Sequence, residues 1–150
     1  MAIKRHQSLQ EFSRDHHQGL LLCWKIKIGL SNGIAVDRIK LYVNWFYDNH
    51  ILEHFQLEEK YMFPVLGNKH PLITRALEEH ILLETLFKDT SEIENTLTVL
   101  HVKLKEHIRF EERILFNEIQ NIATKEQLED IEKFHTNNKF ADNFNDIFWK

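Results

Sequence analysis

The chain has 150 residues, enough for one domain with its own buried core. Its apolar content of 43% and charged content of 28% are those of a folded globular protein, and a net charge of −4 gives no electrostatic case for nucleic acid or an acidic membrane. No run approaches the roughly 18 apolar residues of a membrane span, and the start "MAIKRHQSLQEF" lacks the pattern of a signal peptide.

Only 4 glycines and 2 prolines interrupt the chain, which suits long helices. Ser8 with Glu11 reads as a capping box opening a first helix that runs to about Leu30. "SNG" at 31–33 is a turn, and a second helix runs from about Val36 to Phe63, ending near Pro64 and Gly67. Pro71 suits the first turn of a third helix reaching about Lys88. Ser91 with Glu94 reads as a second capping box, for a fourth helix ending about Asn121. Thr124 with Gln127 opens a shorter fifth over Lys125–Phe134. The tail "KFADNFNDIFWK" carries Phe140, Phe144, Phe148 and Trp149 and should pack on the rest. The expected architecture is all-α: an antiparallel up-down-up-down four-helix bundle, with a short fifth helix and a packed tail. It reads as a single domain over 1–150, with a core bundle at about 8–121 and an extension over 122–150.

The lone Cys23 cannot close an internal disulfide, so a reducing cytoplasm is the expected compartment. The 10 histidines are in excess and dispersed, and metal binding leads the reasons for such an excess. "HFQLEEK" at 54–60 and "HIRFEER" at 107–113 repeat one pattern: His, apolar, any, apolar, Glu, Glu, basic. A solvated charge face accounts for the Glu and Lys/Arg of one copy, but not for two histidines at a fixed spacing to the acid.

Residues four apart lie on one helix face, about 6 Å apart along the axis. The second helix carries the line Val43, Phe46, Tyr47, His50, His54, Glu58, Tyr61, and the fourth Leu97, Leu100, Leu104, His107, Glu111, Ile114. The third carries Ile73, Leu77, His80, Glu84, Phe87, and the first Phe12, His16, Gly19, Leu20, Cys23. In all four an apolar, core-facing line is broken by histidine or by histidine and glutamate. A buried carboxylate without a partner costs several kcal/mol, so these groups require cations. His54/Glu58 and His107/Glu111 each offer a nitrogen and a carboxylate able to bridge, with His16 and His80 from the other helices. Two metal ions roughly 3–4 Å apart are within their reach. His16 is favoured over His17 on helical phase, while His6, His70, His101 and His135 read as ordinary surface residues.

The elements "DHH", "HFQLEEKYMFP", "EEH" and "HIRFEERILF", in that order over about 8–120, resemble the hemerythrin-like (HHE cation-binding) domain. The resemblance implies a non-heme di-iron centre inside a four-helix bundle, and a protein that carries, senses or handles O2, nitric oxide or iron. By position it assigns His16, His54, Glu58, His80 and His107 as ligands, with Glu111 as second bridging acid. Oxygen carriers of the family space that acid to match Glu112; Glu111 is preferred because it shares the face of His107 and mirrors Glu58. Those carriers also have a second histidine one turn after the first in the third helix, where this chain has Glu84. Either Glu84 is a ligand or that metal keeps an open position, and His50 is an extra ligand or an outer donor. The expected cofactor is two iron ions (Fe2+/Fe3+), oxo- or hydroxo-bridged, with zinc or manganese as substitutes. The expected partner is O2, NO or peroxide. A di-iron oxidase or peroxide-reducing enzyme is the alternative, favoured if Glu84 coordinates, and a metal-free interaction module follows only if the stripes face solvent.

Overall fold

The computed structural model describes residues 4–135 and 140–150. The molecule is an all-helical, antiparallel up-down-up-down bundle. A 3-10 turn at Gln7–Leu9 leads into α1, Gln10–Ser31. Gly33, with φ +69°, makes the turn that follows. The second long helix, α2, is continuous but not uniform: Val36–Phe46 is α-helical, Tyr47–Ile51 is a π segment, Leu52–Leu57 is α-helical again and Glu58–Met62 is a second π segment. α3 is Pro71–Lys88, opened by proline with His70 as its cap. α4 comprises Ile93–Phe110, a π segment at Glu111–Leu115, and Phe116–Ile122. α5, Lys125–Phe134, has the expected capping box, with Gln127 N–H donating to Thr124 Oγ1 at 3.1 Å and Thr124 N–H to Gln127 Oε1 at 2.9 Å.

The other two capping boxes are not formed. His6 takes the first position: its Nδ1 accepts from the Ser8 N–H at 3.1 Å and lies 2.7 Å from the Ser8 hydroxyl, so a 3-10 turn precedes α1. At the start of α4, Ser91 gives its N–H and hydroxyl to Asp89 Oδ1 at 3.1 and 2.8 Å, leaving Glu92 to begin the helix without a side-chain cap.

α1 packs along α4, and α3 along α4 on the other side. Gly19 lets α1 approach closely: a Cβ there would lie 2.8 Å from Ile108 Cδ1. The apolar interior is in two parts. One contains Leu22, Ile26, Val43, Phe87, Leu97 and Leu104 among others; the second contains Leu9, Phe12, Met62, Ile73, Phe110 and Phe116 among others. Along every long helix the residues that change over from one part to the other are the polar ones singled out above. The polar layer is therefore walled by hydrocarbon above and below, which fixes its dielectric environment.

The tail docks on one end of the bundle. Phe148 is 2% exposed and lies over Gly29, where a Cβ would meet its ring at 2.9 Å. Buried Lys25 donates to Tyr42 Oη at 2.9 Å and to Asp142 Oδ2 at 2.6 Å, and sits 4.0 Å from the Trp149 ring centroid. Phe144 departs from the expected packing and is 66% exposed. The first residue of the tail stretch, Lys139, lies outside the described residues. No helix among the described residues is long and apolar enough to cross a membrane.

Candidate metal centre

Six side chains from the four long helices meet in the polar layer: His16 of α1, His54 and Glu58 of α2, His80 of α3, His107 and Glu111 of α4. All are buried, and both carboxylates have 0% relative exposure. They form two overlapping groups of potential ligands, His16/His54/Glu58/Glu111 and Glu58/His80/His107/Glu111, within each of which one ligand atom per residue lies inside 4.8 Å of the others. Both acids belong to both groups. Each also opens a π segment, Glu58–Met62 and Glu111–Leu115, a widened turn common where helices carry functional groups.

The distances show how each carboxylate spans the pair. Glu58 Oε2 lies 3.2 Å from His54 Nε2 and 3.7 Å from His16 Nε2, while its Oε1 lies 3.2 Å from His80 Nε2. Glu111 Oε1 lies 2.9 Å from His16 Nε2 and 3.3 Å from His107 Nε2, with Oε2 3.8 Å from His80 Nε2. His54 and His16 bring their Nε2 atoms to 3.2 Å. Both oxygens of Glu58, Oε2 of Glu111 and the Nε2 atoms of His80 and His107 are buried without a hydrogen-bond partner. Orphaned polar atoms converging on one point from four helices are costly, and a cation relieves that cost. The donor set fits two metal ions.

A second ring of carboxylates surrounds the first, and it was not foreseen from the sequence. Asp15 Oδ2 accepts from His54 Nδ1 at 2.9 Å, Glu59 Oε2 from His80 Nδ1 at 2.8 Å, and Glu79 Oε1 from His107 Nδ1 at 2.7 Å. Glu112 Oε1 stands 3.7 Å from His16 Nδ1 and accepts from the Ser13 hydroxyl at 3.0 Å through Oε2. Each helix thus supplies an acid to the histidine of the next: α1 to α2, α2 to α3, α3 to α4, and α4 back to α1. At His54, His80 and His107, holding Nδ1–H in a hydrogen bond fixes the ring and turns the Nε2 lone pair inward once the imidazole is neutral, whereas His16 Nδ1 is buried without a hydrogen-bond partner. The signal for these acids was their adjacency, since each directly neighbours a residue of the inner set in the sequence.

Electrostatics in the metal-free chain follow from this packing. Burial opposes the imidazolium form at all four histidines, but the enclosed carboxylates outweigh it. His54 is raised to about 9 by Glu58 and Asp15, His16 and His80 are raised well above the ordinary value, and His107 is raised by Glu111 and Glu79. Burial and the proximity of Glu111 oppose ionisation of Glu58, and His54 and His16 still hold it below the usual carboxylate range. Glu111 is held lower again, mainly by His107 against its own burial. Without cations the centre neutralises itself with protons, for which a metal must compete.

The remaining sequence candidates sort by geometry. His17 is exposed, leaving His16 as the α1 histidine of the cluster. Glu111 lies in both groups, and Glu112 lies outside them. Glu84 is not brought into either group: the buried line of α3 is Ile73, Ala76, His80, Leu83, Phe87, which turns Glu84 one residue off the core face. It stays half-buried, where its charge adds to burial in raising the Tyr47 hydroxyl. His50 also stands outside both groups, because the π segment Tyr47–Ile51 breaks its phase with His54. Its ring packs instead 4.5 Å from Phe140 and 5.2 Å from Phe46, centroid to centroid. His135 is not a plain surface residue; its Nε2 lies 2.8 Å from the Asp15 oxygen that also holds His54, and its ring is edge-on to Phe12 at 4.5 Å.

A helical bundle with two overlapping His/Glu groups buried between two apolar cores is suited to holding cations as a pair. The family model described as "Hemerythrin HHE cation binding domain" matches residues 6–119, and the chain belongs to that family. No curated protein and no solved structure matches it significantly.

Proposed function

We propose that the chain holds two iron ions between its helices and serves to sense, store or scavenge O2, NO or iron. The observation that carries this reading is the pair of overlapping groups sharing Glu58 and Glu111, with orphaned oxygens and nitrogens turned into the shared space. In it His16 and His54 would hold one ion, His80 and His107 the other, and Glu58 and Glu111 would serve both.

Mixed imidazole and carboxylate donors suit iron, manganese or zinc, and not Ca2+ or Mg2+, which take all-oxygen shells. Cys23, the single cysteine, is packed in the apolar core, so no thiolate competes. Bound iron would supply a redox-active pair able to take a diatomic ligand. The protein's own part is to fix three of the four rings through Asp15, Glu59 and Glu79, with Glu112 facing the fourth at 3.7 Å, to hold two compensating negative charges, and to keep bulk water out with its two apolar clusters. The enzyme reading, a di-iron oxidase or peroxide reductase, relied on Glu84 as an additional acid; its place outside both groups favours binding over turnover.

The test is metal analysis of chain purified anaerobically and loaded with ferrous iron, followed by visible absorption on exposure to O2 and to NO. Two irons per chain and a spectral change with either gas are expected. A chain that takes up no iron overturns the proposal, and peroxide or ferrous turnover lost in Glu84→Gln moves it to the enzyme class.

A further inference from the structure

A cavity of about 180 Å3 lies between α1 and α2 against the metal centre. His16, His54 and His107 form its floor, and exposed Asn49 and Glu53 stand at its rim. Its apolar walls include Phe46, Phe55, Leu104, Ile108 and Phe140. Phe140 and His135, which also lines it, lie beyond the residues that match the family.

Three properties limit what the cavity can hold. Size is the first: an apolar protein cavity of about 150 Å3 accommodates benzene, so a diatomic gas leaves most of this space unfilled. Charge is the second. Asp15 and Glu53 line it and, among the described residues, no Lys or Arg does, so away from the histidine floor an anion would meet like charge with no side-chain counter-ion. The third is an unmet hydrogen bond. Of the described lining side chains outside the metal cluster, His50 alone has a buried ring nitrogen, Nε2, without a partner. Phe46, Phe140 and Trp45 surround that imidazole with ring centroids 4.5–5.2 Å away.

We propose that this cavity is a binding subsite for a neutral, compact organic molecule of aromatic size, seated beside the metal centre with a hydroxyl or amine on His50. Aromatic walls take its body, the acidic rim turns away carboxylates and phosphates, and Phe140 makes the C-terminal extension part of the subsite. The inference deepens the proposed metal-binding function, which it uses for the cavity's floor.

Phenol, benzene and benzoate titrated by calorimetry into the full-length, iron-loaded chain test it, with iron content measured on the same samples. Phenol should bind at least about tenfold tighter than benzene, and benzoate more weakly than phenol over the same range. His50→Leu should abolish the preference of phenol over benzene, and Asn49→Trp, which plugs the rim, should weaken both probes, each with iron content unchanged. Absence of any probe binding at millimolar concentration in a fully loaded chain overturns the subsite. So does benzoate binding as tightly as phenol, or phenol indifferent to both substitutions. Phenol bound by a chain that takes up no iron supports the subsite and overturns the metal reading instead.

Discussion

Freed of metal, the chain is expected to lose stability as pH rises from 6.5 to 9, and loading with metal should reverse the sign. In the metal-free fold the His54 imidazolium is held by Glu58 and Asp15, against the penalty of burial, up to a pKa of about 9 from the ordinary 6.5. A group raised on folding contributes stability that is full below its unfolded pKa and is lost as pH climbs through its folded one. At about 1.4 kcal/mol per pH unit, the span from 6.5 to about 9 comes to roughly 3 kcal/mol for His54. That is a large share of the roughly 5–15 kcal/mol of a typical domain. His16, His80 and His107 are raised too and act in the same direction. With metal bound the four imidazoles are neutral in the fold and titrate only after unfolding, so stability should instead rise as pH passes upward through 6.5. Urea denaturation at pH 6, 7.5 and 9, with chelator and with bound metal, measures both slopes. A chelated chain as stable at pH 9 as at pH 6, or slopes of the same sign in both states, would refute the picture of imidazoles paired inside the bundle.

Other consequences can be checked separately. Asp15→Asn and Glu79→Gln, which leave only a neutral amide oxygen to hold the Nδ1 atoms of His54 and His107, should each weaken metal binding about 10–100-fold in competition with a chelator, with stoichiometry retained at saturation. Glu84→Gln should leave metal content and affinity unchanged, since Glu84 lies outside both groups. Gly19→Val forces a side chain into Ile108 and should destabilise the fold by about 1–3 kcal/mol in denaturant melts.

The two His/Glu pairs of the inner set were legible in the sequence from helical phase, although the same spacing also set Glu84 on the line of α3, where Leu83 is the buried residue. His54/Glu58 and His107/Glu111 sit at one-turn spacing within apolar lines, and no tertiary knowledge is needed to see that such lines face inward. The outer acids depend on which helix neighbours which. Asp15 is next to His16 in the chain yet serves His54, and Glu79 is next to His80 yet serves His107. A residue one position along is turned about 100° around the helix, toward the adjacent helix, so its partner appears only once the bundle is assembled. The π segments left no readable pattern either, and one of them carried His50 off its expected face. Of the capping boxes, Thr124/Gln127 formed as written, whereas Ser8 and Ser91 were engaged by nearby His6 and Asp89.

Sharing of two carboxylates between two cations is tested most directly by counting metal. Equilibrium dialysis of the wild-type chain and of Glu58→Gln against ferrous iron, without oxygen, followed by elemental analysis, should give two ions per chain for the first. The second, left with Glu111 as the one anionic bridge common to both groups, should hold fewer than two at the same free iron concentration. A Glu58→Gln chain that still binds two ions with wild-type affinity would contradict the account.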